Sequence, residues 1–554
     1  MVSSEDMLAD LRERLGPDLT SESKDPENTF TINTRKERVR EVARYLIGEV
    51  QGRLIHVSVI DRGLDGYEVV YHYSLDHLEK NLHINVKVLL PADEPEVESV
   101  SLEAPESSWS EREMMEFTPV RFINHPDPRH LWLPHEWPNP VESEKYNPVE
   151  RNGVLTTPAT YSKNSEASLI PLGPYHPLLI EGAYFRVKFD GEEITDADVK
   201  LGWNHRGIMK LFESRSYTRG AFLAERVCGI CNVTHTTAYL NAVESLSGIE
   251  IPDRARYIRT LMAELERVHS HLLWLGVAGD LIGFKTLFML SWKVREQVLD
   301  VFESVTGSRR APAMNLIGGV RKDVSSENIK KTERRLGGMR REVERLVDIA
   351  YNHPVVRKRL QDIGRLNLAT AKNAGAVGPT ARASGWKLDT RSSSPYAAYE
   401  YATWDVVTDG GGDAWARTIV RLKEILVSID ISTQCLEALN HRGGPISIEP
   451  VDPKDFKLSE ALGKAEAPRG ELVYYIVSDG TNIPHSVRIR TPSFRNNALI
   501  PNLLKGHTLA DAPIIVGSID PCYSCTDRTV IVQDSRRDTI WKTALIDLAS
   551  VRSR

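Results

Sequence analysis

Residues 254–275 read Arg254-Ala-Arg-Tyr-Ile-Arg-Thr-Leu-Met-Ala-Glu-Leu-Glu-Arg-Val-His-Ser-His-Leu-Leu-Trp-Leu275. Ile258, Leu261, Leu265, Val268, Leu272 and Leu275 recur at spacings of three and four, the period of a helix with one apolar stripe. Residues 294–305 and 417–439 carry the same period, so a helical bundle is predicted to form the bulk of a large domain. Residues 330–351 also read as helix, with enough Arg and Glu to predict a solvated face rather than a binding patch.

Outward from the bundle the pattern changes to strands. Residues 53–60, 67–73 and 83–90 are short runs rich in Val, Ile, Leu and Tyr, and residues 184–189, 472–477 and 487–490 read similarly. The fold class expected is α+β: a small N-terminal α/β domain over residues 1–135, then a mainly α-helical domain with short sheets over residues 166–528. Residues 136–165, rich in Pro, Asn, Ser and Glu without periodicity, are the expected linker, and residues 529–554 a C-terminal extension. Gly410-Gly-Gly-Asp413 follows no strand and lacks a Gly-Lys-Ser/Thr ending, so it reads as a loop.

The chain has 554 residues, more than one hydrophobic core usually supports. Its net charge of -6 gives no reason to expect a nucleic-acid partner. No apolar run approaches the roughly 20 residues a spanning helix needs, and the segment starting at Met1 lacks signal-peptide character. The expected location is the cytoplasm, at the inner face of a membrane only through partner subunits. Five cysteines in this length are poor material for a disulfide framework, and four of them form two Cys-x-x-Cys pairs, Cys228/Cys231 and Cys522/Cys525.

Within each pair the cysteines are three positions apart, so both sulfurs can converge on one metal, and two pairs can close a four-sulfur site. Thiolates suit zinc, iron-sulfur clusters, copper(I) and sulfur-bound nickel alike. A zinc ribbon usually closes within roughly 15–20 residues, whereas Cys231 and Cys522 lie almost a domain apart. Spacing alone therefore leaves zinc, an iron-sulfur cluster and unrelated buried pairs open.

The flanking residues narrow the choice. Glu225-Arg-Val-Cys-Gly-Ile-Cys-Asn-Val-Thr-His235 and Asp520-Pro-Cys-Tyr-Ser-Cys-Thr-Asp-Arg528 resemble the two signatures of nickel-iron hydrogenase large subunits. The resemblance implies a nickel-iron centre on Cys228, Cys231, Cys522 and Cys525, with Cys228 and Cys522 as terminal nickel ligands. Cys231 and Cys525 would bridge to an iron carrying carbon monoxide and cyanide. Glu466-Ala-Pro-Arg-Gly-Glu471 resembles the family segment whose arginine, here Arg469, hangs over the metals. Arg490-Thr-Pro-Ser-Phe494 resembles the segment lining the cyanide pocket, which implicates Pro492 and Ser493, and His235 would donate to a cysteine sulfur. Cys435, on an apolar helical stretch, reads as a small buried hydrophobe.

Gly173-Pro-Tyr-His-Pro177 with Glu181, and Gly202-Trp-Asn-His-Arg-Gly207, resemble the quinone-site subunit of respiratory complex I and the energy-converting hydrogenases related to it. Glu111-Arg-Glu113 and His125-Pro-Asp-Pro-Arg129 resemble the neighbouring peripheral subunit of complex I, a fusion typical of the formate hydrogenlyase and hydrogenase-4 type. The rival function, quinone oxidoreduction, belongs to relatives that have lost the cysteines; a metal-bound structural subunit is the third class. Where relatives carry a magnesium-binding Glu this chain has Met209, a poor ligand for a hard cation, so magnesium stays unassigned. The resemblance implies that Cys522 exchanges a proton with Glu181, a carboxyl whose pKa burial can tune. It implies as partners a small subunit carrying an iron-sulfur cluster, further complex I-like peripheral and membrane subunits, and a maturation protease that cuts after Arg528. The N-terminal domain is expected to pack peripherally, with the metal facing the small subunit.

Overall fold

The computed structural model describes residues 4–25, 28–133, 168–176, 179, 181–204, 206–448, 456–527, 532–534 and 539–541. The expected linker at 136–165 and the cleavage point at Arg528 lie outside the described residues; beyond it, strands Val532–Asp534 and Thr539–Trp541 pair antiparallel.

The fold is α+β. Strands β1 (Leu19–Lys24), β2 (Thr29–Thr34), β3 (Arg53–Asp61), β4 (Tyr67–Ser74) and β5 (His83–Leu90) form one sheet in the order β1-β2-β5-β4-β3, parallel only between β2 and β5. Antiparallel sheets usually leave one face to water. Here β3 is buried at every position from Leu54 to Ile60. One face, with Val57, Val59, Val69 and Tyr71, packs on the N-terminal core, and the other brings Ile60 and Val70 against Tyr475 and Val477. The N-terminal sheet is thus sandwiched into the molecule rather than appended to it.

The helical body consists of α1 (Asn232–Ser247), α2 (Asp253–Leu281), α3 (Lys285–Thr306), α4 (Ser326–Asn352) and α5 (Ala414–His441). Leu261, Leu265, Val268, Val298, Leu336, Val343, Leu422 and Leu436 from four of these helices share one core. Ser325 and Asp413 cap α4 and α5, each side chain accepting a backbone N–H three residues on. In α4 the buried positions Ile329, Leu336, Met339, Val343, Leu346 and Ala350 make one stripe, and its charged residues face solvent as the sequence predicts.

Helix α2 departs from that pattern. Its apolar stripe predicts a half-exposed helix, yet it is buried around its whole circumference, including Arg259, Glu264, Glu266, Arg267, His269 and His271. Each charge therefore needs a partner in the protein. Glu264 accepts from Arg391 at 3.1 Å, Tyr399 at 2.6 Å and Ser428 at 2.6 Å. Glu424 of α5 takes Arg382 at 2.6 Å and His271 at 2.9 Å. Burial alone would raise the Glu264 carboxyl; Arg391 and Arg267 outweigh it and hold it at about 2.

A depressed folded-state pKa contributes stability above the unfolded value, near ~4.3 for Glu, and loses it as pH falls toward the folded value. Glu264→Gln should therefore cost about 3–5 kcal/mol near neutral pH, the cost of breaking a buried pair. Chemical denaturation of the two proteins should give a gap that is constant above about pH 5 and narrows below it. A gap independent of pH would show that Glu264 is not held as a carboxylate.

Two three-stranded sheets join the body. Strands β6 (Ser168–Leu172), β7 (Tyr184–Asp190) and β8 (Glu193–Lys200) form one; β9 (Leu458–Ala467), β10 (Gly470–Asp479) and β11 (Pro484–Arg490) form the other. The β9–β10 register pairs Ala467 with Gly470, so Pro468 and Arg469 form a two-residue turn at the hairpin tip. Among the described residues no helix is long and apolar enough to cross a membrane.

Candidate metal centre

Both cysteine pairs sit at helix N-termini. Cys231 immediately precedes α1, and Cys522 precedes the short helix Tyr523–Thr526. In each pair the first sulfur accepts the backbone N–H of the second cysteine, at 3.2 Å for Cys231 and 3.4 Å for Cys525. The Cys228 sulfur also accepts from the Ile230 N–H at 3.3 Å. Sulfur here takes the acceptor place that Ser or Asp fills in an ordinary helix cap, where N–H donors and the helix dipole favour a thiolate.

The fold brings the pairs together although 294 positions separate Cys228 from Cys522 and Cys231 from Cys525. The sulfurs stand 3.0 Å apart for Cys228–Cys231, 3.8 Å for Cys228–Cys522 and 4.0 Å for Cys231–Cys525. A tetrahedral metal with bonds of ~2.3 Å separates its sulfurs by about 3.8 Å. The sulfurs of Cys228, Cys522 and Cys525 all lie within 4.8 Å of one another, and all four thiols are buried. Four convergent sulfurs in an enclosed site fit a thiolate-bound transition metal.

Four thiols at this range share protons. Hydrogen bonding from Cys231 leads in pushing the Cys228 thiol well down, while the same contact pushes Cys231 up. Contact with Cys228 raises Cys522, and burial leads in raising Cys525. Metal binding must expel these protons, which ties loading to pH.

The other candidate residues surround the sulfurs. Arg469 directs Nη1 at the Cys231 sulfur from 3.7 Å, while its Nε and Nη2 each donate at 2.8 Å to Asp520, to the carbonyl and the carboxylate. Burial opposes that guanidinium's charge; Asp520 and the cysteines outweigh it and push its pKa well up. Glu181 Oε1 lies 4.0 Å from the Cys522 sulfur and accepts from Ser524 Oγ at 2.7 Å, and its Oε2 accepts the Ser524 N–H at 2.7 Å. His235 spans 3.6 Å from Nε2 to the Cys525 sulfur and 2.9 Å from Nδ1 to the Tyr474 hydroxyl. Ser493 accepts the Cys522 N–H at 3.0 Å, and buried Pro492 opens the helix on which Ser493 sits. Met209 is buried, its sulfur accepting the Ile489 N–H at 3.3 Å. Cys435 lies apart in the helical core, where burial pushes its thiol up.

Several supporting residues received no role from the motifs. Arg206 donates to the carbonyls of Arg226, Val227 and Ser524 at 2.7–2.8 Å, tying the two cysteine segments together. Thr491 donates to the Cys525 carbonyl at 3.1 Å. Glu266 accepts the N–H groups of Val233 and Thr234 at 2.6 and 3.0 Å, capping the α1 turn that follows Cys231, and burial pushes its carboxyl up to about 8. Arg206 and Thr491 lie inside the segments 202–207 and 490–494 that resemble the family, and Asp520 opens the second cysteine motif; Glu266 carries no local signal.

His235→Ala removes a ring placed between the Cys525 sulfur and Tyr474. Turnover should fall about 10-fold or more, as for other groups that orient a metal ligand. Occupancy of the thiolate site should stay near native; unchanged turnover would rule out the role.

Three family models match the chain. That of the respiratory-chain NADH dehydrogenase 30 Kd subunit matches residues 32–151, that of the nickel-dependent hydrogenases 206–276, and that of the respiratory-chain NADH dehydrogenase 49 Kd subunit 281–457 and 451–528. Formate hydrogenlyase subunit 5 of Escherichia coli K12 is 36% identical over 91% of this chain and 90% of its own length. Hydrogenase-4 component G of the same organism is 36% identical over 97% and 94%. A chain of the membrane-bound sulfane sulfur reductase, an archaeal respiratory membrane complex, superposes with a TM-score of 0.63 at 30% identity, covering 66% of this chain and all of that one. With these two relatives covered to 90% and 94% of their length, this chain belongs to the family of complex I-related nickel-iron hydrogenase large subunits, with a complex I 30 Kd-like segment in its N-terminal part.

Proposed function

We propose that the chain is the catalytic subunit of a nickel-iron hydrogenase, interconverting two protons and two electrons with hydrogen. The observation that carries this reading is the convergence of four buried sulfurs beneath the Arg469 guanidinium, with a carboxylate 4.0 Å from one of them. Cys228, Cys231, Cys522 and Cys525 would hold a nickel-iron centre whose iron would carry carbon monoxide and cyanide. When bound, that centre supplies the redox chemistry that joins protons and electrons.

The protein's own residues do the rest. Cys522 Sγ exchanges a proton with Glu181, which Ser524 orients through two hydrogen bonds. Arg469, fixed by Asp520, holds a positive charge over the site where negative charge gathers on reduction. His235 donates toward the Cys525 sulfur, and Pro492 and Ser493 shape the wall behind Cys522. Four of the five cysteines are committed to the centre, so electrons must pass to a small subunit carrying an iron-sulfur cluster. Further complex I-like peripheral and membrane subunits would hold the chain at the inner membrane face. A maturation protease acting after Arg528 would close the site once metal is in place; intact-mass measurement on active enzyme should find the chain ending there, and an active chain retaining Arg554 would overturn that step.

Quinone oxidoreduction on the same scaffold would need none of the four sulfurs. Isotope exchange separates the two: the assembled complex under deuterium in light water should release mixed hydrogen-deuterium gas. A nickel-loaded complex that reduces a quinone and forms no mixed gas would reject the hydrogenase reading.

A further inference from the structure

The turn that carries Arg469 is gripped from two directions, and one grip comes from the N-terminal sheet. The β9–β10 register sets Glu466 opposite Glu471, one residue pair below the Ala467–Gly470 closure. Like charges placed opposite each other on a ladder repel unless each is neutralised. Glu466 is held by Arg382 at 2.7 Å and the Thr390 N–H at 3.1 Å, both within the helical body. Glu471 is held by Arg490 and by Arg53 of β3, whose guanidinium reaches its two oxygens at 3.1 and 3.4 Å. Arg53 also donates to Asp76 at 3.1 Å and Ser74 at 3.3 Å. The charges facing Glu471 are thus Arg53, Arg490 and Lys464, with Asp76 as a second carboxylate beside them.

The same edge of the N-terminal sheet holds the segment behind the cysteines. Strand β3 ends the sheet order, so among the described residues its outer carbonyls have no strand partner. Arginines take them: Arg495 donates to Leu54 O at 2.7 Å, Arg490 to Ile55 O at 3.0 Å and Arg488 to Val59 O at 2.9 Å. Between Arg490 and Arg495 lie Thr491 and Ser493, which bond the backbones of Cys525 and Cys522. The turn has little slack of its own, because Gly470, at φ +131°, packs so close to Gly378 that a Cβ would lie 2.6 Å from its nitrogen. A shift of Glu471 is therefore passed to Arg469.

We propose that Arg53 is a positioning residue for Arg469, holding its guanidinium over the sulfurs through Glu471 and thereby making the N-terminal sheet part of the active-site wall. This rests on the hydrogenase reading of the Arg469 site. A misplacement of about 1 Å in such a site can cost ~100-fold in rate; with Arg490 still in place, we expect Arg53→Ala to lower turnover about tenfold.

The test is Arg53→Ala and Arg53→Lys in the full chain within its complex, at nickel and iron contents equal to native. The expected result is the rate loss together with a displaced nickel paramagnetic resonance spectrum. Amide exchange should quicken at residues 466–472 and stay native at residues 254–275. Arg53→Lys, with a single donor group, should fall between the two; should Arg53→Ala not accumulate, a several-fold loss and a displaced spectrum in Arg53→Lys carry the same result. Native turnover and spectrum in the variants, even with a lower melting temperature, would overturn the proposal, and so would exchange that quickens uniformly along the chain. A native complex without nickel or hydrogen turnover would instead reject the hydrogenase reading, while the exchange pattern would still report whether Arg53 holds the turn.

Discussion

Glu181→Gln should lower hydrogen turnover at least ~100-fold while leaving nickel and iron content native, the range expected when a positioned proton carrier is lost. The amide keeps the size of the side chain and can still accept from Ser524 through its oxygen, so the loop stays in place. What it loses is the capacity to take a proton at Oε1, the atom 4.0 Å from the Cys522 sulfur. That separation is long for direct transfer, so the two groups must draw closer for the proton to pass. Proton-dependent turnover and hydrogen-deuterium exchange should fall together. Normal turnover in this variant would remove Glu181 from the path.

Arg469→Lys should cost about 10²–10³ in turnover, the range for loss of one fixed donor aimed at developing charge. Charge is conserved in that substitution; geometry is not. The guanidinium uses Nε and Nη2 to lock onto Asp520 and leaves Nη1 for the Cys231 sulfur, three directions from one plane. An ammonium on a flexible stem can satisfy Asp520 or the sulfur, and water must cover the other. Rate measurement at native metal content tests this. A lysine variant with wild-type turnover would show that charge alone suffices.

Much of the architecture was legible because its signals are local. The strands at residues 53–61, 67–74 and 83–90 begin where the alternation of Val, Ile and Tyr begins, and α2, α3 and α5 carry the apolar period. What the period hides is how deeply α2 is buried. A stripe of Leu and Val says which face meets the core, and it says nothing of Glu264 or His271, whose partners Arg391 and Glu424 lie more than 100 residues away. The same limit governed the site. The cysteine motifs and the Arg469 turn are contiguous strings and could be matched to a family; Tyr474 and Glu266 act through contacts between distant segments and leave no local pattern. The role of the N-terminal sheet was hidden for a related reason, since an unpaired strand edge shows in the sequence only as another strand, while the arginines that cover it lie more than 400 residues on.

The central claim is that the four sulfurs hold nickel and iron, and elemental analysis of the purified chain tests it most directly. The account predicts nickel and iron in equal amounts, both lost in Cys525→Ala; zinc alone, bound at the same four sulfurs, would contradict it.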